Sequence, residues 1–140
     1  MAEGLAWMTG IVLFALSGVH VYWAAGGRKG FRIAVPTRGE EPLFRPSKAA
    51  TAFVAALLAM AGAFVLQLGG IGEPLLPGWL FALGGWALAA VFVLRAIGDF
   101  RWVGLFKSRK GTSFAYWDSV CYSPLCLLLG ISLICIRSAA

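Results

Sequence analysis

The chain has 140 residues, of which 60% are hydrophobic and only 13% charged, with a formal net charge of +6. Soluble domains carry about a quarter charged residues, so this composition excludes an ordinary soluble globular domain. The basic excess raises the possibility of nucleic-acid binding, but the charges sit in two inter-span loops and not on a basic face with base-stacking elements, which argues against it.

Four apolar runs lie at about 5–25, 49–69, 78–98 and 119–136. A membrane span needs roughly 20 mostly apolar residues at 1.5 Å rise each, and these four take up most of the chain. Lipid permits only helices or a closed barrel, and uninterrupted runs such as 52–66 lack the in–out alternation of barrel strands. The expected fold is all-α: a single-domain, polytopic four-helix membrane bundle.

The first run is preceded by Glu3 and no basic residue, unlike a cleavable leader. After it come Arg28, Lys29, Arg32, Arg38, Arg45 and Lys48, and between the third and fourth runs come Arg101, Lys107, Arg109 and Lys110. The 70–77 link holds no basic residue and the tail only Arg137. The positive-inside rule then puts both basic loops in the cytoplasm and both termini outside.

Loop 26–46 carries Pro36, Pro42 and Pro46 and reads as irregular, with Ser47 as the N-cap of the second helix. The second span is rich in small residues: Ala52 and Ala56, and Ala55, Ala59 and Ala63, recur every four residues and favour close helix approach, as do Gly85 and Ala89 in the third. Gly70, Pro74 and Pro77 break the chain between two helical hairpins. In the second basic loop Phe100, Trp102, Val103, Leu105 and Phe106 alternate with Arg101 and Lys107, a pattern suited to the headgroup region. Thr112 or Ser113 would cap a helix leading into the fourth span.

Ionisable residues in spans are costly and mark candidate sites. Here they are His20, Arg95, Asp99 and Asp118, joined by Trp23 and Tyr122, all near the cytoplasmic ends. Arg95 and Asp99 lie one helical turn apart and are expected to pair. Asp118 and Tyr122 share a face, and Pro124 would free the carbonyl of Val120 and open a polar notch beside Asp118, Cys121 and Tyr122. His20 lies one turn from Ser17 and Trp23. Neither a zinc set nor a cofactor fingerprint occurs, so no metal and no cofactor are expected. Cys121, Cys126 and Cys135 have no CxxC spacing and read as buried thiols.

The segments His20-Val-Tyr-Trp-Ala-Ala-Gly-Gly27, Leu94-Arg-Ala-Ile-Gly-Asp-Phe100 and Tyr122-Ser-Pro-Leu-Cys126 resemble the signature segments of a bacterial family of small four-span proteins described only as a domain of unknown function. The resemblance spans nearly the whole chain and implies a multi-pass protein of the bacterial inner membrane. It brings no activity, substrate or cofactor.

Three functional readings follow. The first is a pocket of His20, Trp23, Arg95, Asp99, Asp118 and Tyr122 that binds or moves an anionic lipid or small amphiphile, with Arg95 on the anionic group. The second is a structural accessory or assembly subunit with a membrane partner, or a homo-oligomer. The third, disfavoured by the lack of a nucleophile–base motif, is an enzyme acting on a lipid or isoprenoid with His20 and Asp118 as acid and base.

Overall fold

A computed structural model describes residues 1–39 and 41–139. Its long helices are α1 (Ala2–Ala24), α3 (Lys48–Leu68), α4 (Gly78–Ile97) and α6 (Ser123–Ala139). The short α2 (Phe31–Ala34) and an antiparallel pair, β1 (Thr37–Arg38) and β2 (Glu41–Pro42), lie in the first basic loop. The fourth span begins earlier than its apolar run suggests. It starts with α5 (Ser113–Trp117), passes through a π-turn at Asp118–Tyr122 and continues as α6.

The caps explain these limits. The Ser47 hydroxyl accepts the amide of Ala50 and the Thr112 hydroxyl accepts that of Ala115, both at 3.0 Å, which satisfies N–H groups that have no intrahelical partner. The π-turn answers Pro124. The Ser123 amide reaches back to the carbonyl of Asp118, so the chain takes in one extra residue just before the proline, which has no amide to donate.

The four long helices are apolar enough to cross a bilayer, and they expose Phe53, Met60, Leu83, Val91, Leu94 and Leu128. Apolar cover of that extent fits lipid rather than water. This is a multi-pass membrane protein.

Helix α1 packs chiefly on α3 and α4 on α6, and the two hairpins meet mainly through α1 and α6. The apolar core of Ala6, Leu13, Val65, Leu68, Ala89, Leu129, Leu133 and Ile136 fills the half of the bundle away from the two basic loops. Small residues bring the helices together there. A Cβ on Gly130 would come within 2.7 Å of Val93 Cγ2 and 3.3 Å of its amide nitrogen, and one on Gly10 within 3.0 Å of Leu66. Ala55, Gly85 and Ala89 are buried as expected, whereas Ala52 and Ala56 face outward.

At the opposite end, here called the basic end, the two loops form a cap. Helix α2 packs on α5, with Val35, Phe114 and Ala115 buried. Trp23 closes the end of α1: its indole N–H donates to the Lys29 carbonyl at 2.9 Å, and its ring meets His20 and Phe31 edge-on.

Candidate functional site: a buried aspartate held by two cations

Asp118 lies in the π-turn and is completely buried. A carboxylate offers about four acceptor positions, and the chain fills them from four directions. Oδ1 accepts Arg95 Nη2 from α4 and the Ser123 hydroxyl from the head of α6, each at 3.0 Å. Oδ2 accepts the Gly104 amide at 2.7 Å and the Lys107 ammonium at 3.0 Å. Lys107 is equally complete. Its three donors go to Asp118, to the Gly104 carbonyl at 3.0 Å and to the Ser119 hydroxyl at 2.6 Å.

The loop between α4 and α5 is shaped to deliver these groups. Gly98 and Gly104 both have positive φ, +82° and +94°, and their backbones lie against each other with no room for a Cβ. The Leu105 amide donates back to the carbonyl of Ala96 at 2.7 Å. The chain therefore leaves α4, turns through five residues and returns to its own helix end, with the Gly104 amide aimed at Asp118.

Asp99 holds that turn rather than Arg95. Its Oδ1 accepts the amides of Arg101, Trp102 and Val103 at 3.0, 2.8 and 3.1 Å. Desolvation, the largest single influence, raises its pKa, and the N–H groups of Arg101, Val103 and Trp102 together more than reverse this, leaving it below the ordinary carboxylate value. The expected Arg95–Asp99 pair is thus corrected. Helix α4 ends at Ile97, the left-handed Gly98 turns Asp99 off the helix face, and Arg95 reaches across to Asp118 instead.

The six residues expected to converge fall into separate settings. Arg95 and Asp118 are joined directly. Asp99 serves its own loop. His20 donates from Nδ1 to the Leu16 carbonyl at 2.7 Å and packs on Trp23 at the end of α1. Tyr122 packs on Phe114, with ring centroids 6.0 Å apart. The polar notch beside Cys121 and Tyr122 takes a different form, since Asp118 points into the protein while Cys121 is exposed. Cys135 is exposed as well. Among the described residues no cluster of metal-ligating side chains occurs.

Lys107 is the residue that sequence reasoning misses. In the sequence it is one of four loop cations, yet its side chain is 0% exposed. Two cations against one carboxylate leave one positive charge over, and Arg95, with its side chain 34% exposed, is the member open to its surroundings. Its Nη1 is buried without a hydrogen-bond partner, as is Nε of Arg137 near the other end.

A family sequence profile described as "Protein of unknown function (DUF3995)" matches residues 13–133. The chain belongs to that family. The match takes in α3, α4, parts of α1 and α6, and the whole Asp118 cluster. No curated protein and no solved structure gives a significant match.

Proposed function

We propose that this is a non-catalytic scaffold of the bacterial inner membrane, whose bundle holds a rigid basic cap at the cytoplasmic surface, where it binds anionic lipid headgroups. Both termini then lie outside. The observation that carries this reading is the filled coordination of Asp118. Every acceptor position is taken by a group of the chain itself, from α4, the loop and α6. Such a cluster ties segments together and leaves no acceptor for a substrate or a transported proton.

The acid–base reading lacks its pair. Asp118 is occupied, and no described hydrogen bond or cavity joins it to His20. Anionic lipid is favoured by the charge distribution: ten basic residues lie in or beside the two loops of the basic end, and an anionic leaflet attracts such segments. The excess cation at Arg95 adds to that field.

A role as an accessory subunit is the second reading. A shallow groove of about 330 Å³ between α1 and α3, lined by Ser17, Val21, Ala24, Ala52, Ala56 and Ala59, would admit a partner helix closely.

Native mass spectrometry of the protein released from its own membrane, with Arg95→Ala beside it, tests these readings. Retained anionic phospholipid supports the scaffold reading, and a co-isolated protein supports the subunit reading. A stoichiometric soluble metabolite held by the wild type and lost in Arg95→Ala would replace both with a ligand pocket.

A further inference from the structure

The Asp99 turn presents side chains that the Asp118 cluster does not use. Phe100 has φ +63° and is the one non-glycine residue with positive φ among those described. For a bulky residue this conformation is strained, and strain of this kind collects at functional positions. Here it holds an aromatic side chain out of the protein: Phe100 and Phe106 are each 62% exposed, and their ring centroids lie 6.3 Å apart. Leu105 is exposed beside them.

The base beneath this pair is firm. The Ser108 amide donates to the Phe100 carbonyl at 3.1 Å and the Arg109 amide to the Arg101 carbonyl at 2.8 Å, while Asp99 gathers three amides and Lys107 anchors the loop from below. Cations of the same loop gather on Trp102. The guanidinium groups of Arg101 and Arg109 lie 5.4 and 5.5 Å from the centre of the Trp102 ring, and Lys110 is exposed next in the chain. The two arginines gathered on Trp102 set a collar of positive charge in the same loop as the apolar tip.

From this geometry we infer that Phe100 and Phe106 form a wedge that enters the lipid headgroup layer, while Arg101 and Arg109 pair with the phosphates of anionic phospholipids. The inference rests on the proposed siting of the basic end at an anionic membrane surface. The committed partner is the bilayer surface, because the collar's charge complements anionic headgroups and the tip matches the acyl boundary below them.

The photoreactive residue p-benzoylphenylalanine placed at position 106, and separately at exposed position 44 in the other basic loop, tests this in native membranes. Irradiation at position 106 should give an adduct of one phospholipid mass. Each arginine near such a surface favours anionic lipid about fivefold, so the ratio of anionic to net-neutral phospholipid in the adduct should exceed that of the membrane by at least that factor. Arg101→Gln with Arg109→Gln should abolish the enrichment while the protein remains folded.

A polypeptide adduct at position 106 would overturn the inference in favour of a protein interface. A lipid adduct without enrichment would overturn the recognition by charge. Lipid adducts at 44 and none at 106 would overturn the wedge while leaving the siting of the basic end intact. Lipid adducts at neither would remove both.

Discussion

The two ends of the bundle are held by different physics. Away from the basic loops, α1, α3, α4 and α6 meet through Leu13, Val65, Leu133 and Ile136 with glycines between them, so shape complementarity binds the helices. At the basic end the corresponding place is taken by Asp118, Lys107 and Arg95, and charge-assisted hydrogen bonds bind a loop to two helices. Shape-based packing spreads its stabilisation over many small contacts. The ionic end concentrates it in one carboxylate, so its failure should be abrupt.

Asp118→Ala gives the largest expected break. It leaves Lys107 buried without its counter-charge and should destabilise the protein by about 3–5 kcal/mol, read as a fall in the unfolding midpoint in detergent, with the 98–112 loop becoming protease-sensitive. Gly130→Ala attacks the other end. Its methyl meets Val93, including the backbone nitrogen, and should cost about 1–3 kcal/mol by overpacking without loosening the loop.

These two halves also differ in how far they can be read from sequence. Spans cross at a fixed rise and need a minimum apolar length, so all four were legible; Ser47 was legible as a cap, and the cap of the helix leading into the fourth span was narrowed to Thr112 or Ser113, because their chemistry is local. The apolar run alone starts the fourth span too late, because Tyr116, Trp117 and Asp118 are polar or amphipathic residues that end an apolar run without ending a helix. Arg95 and Asp118 stood out as charges within spans, but their pairing depends on Gly98 turning the chain away, which no spacing rule reports. Lys107 carried no signal at all. A lysine in a basic loop looks solvated until the fold closes Gly104 over it.

Phe100→Gly should act in the opposite direction. Glycine adopts positive φ without strain, so this variant should raise stability by about 1 kcal/mol while weakening lipid contact at the loop. A fall in stability would make Phe100 a packing residue instead. The smallest effect concerns Asp99. Its folded pKa lies below its ordinary value of 3.8, so its contribution to loop closure is fully present above about pH 4 and is lost as pH falls through the depressed folded value. The amide resonances of Arg101, Trp102 and Val103 should titrate together with a midpoint below 3.8; a midpoint at or above that value would mean the carboxylate does not hold these amides.

A double-mutant cycle decides whether Asp118 and Lys107 act as one structural lock. Unfolding of wild type, Lys107→Met, Asp118→Leu and the double variant should yield a coupling of at least about 1.5 kcal/mol, with the double variant more stable than Asp118→Leu alone. Additive losses would show that the two residues stabilise the protein independently and would contradict the account.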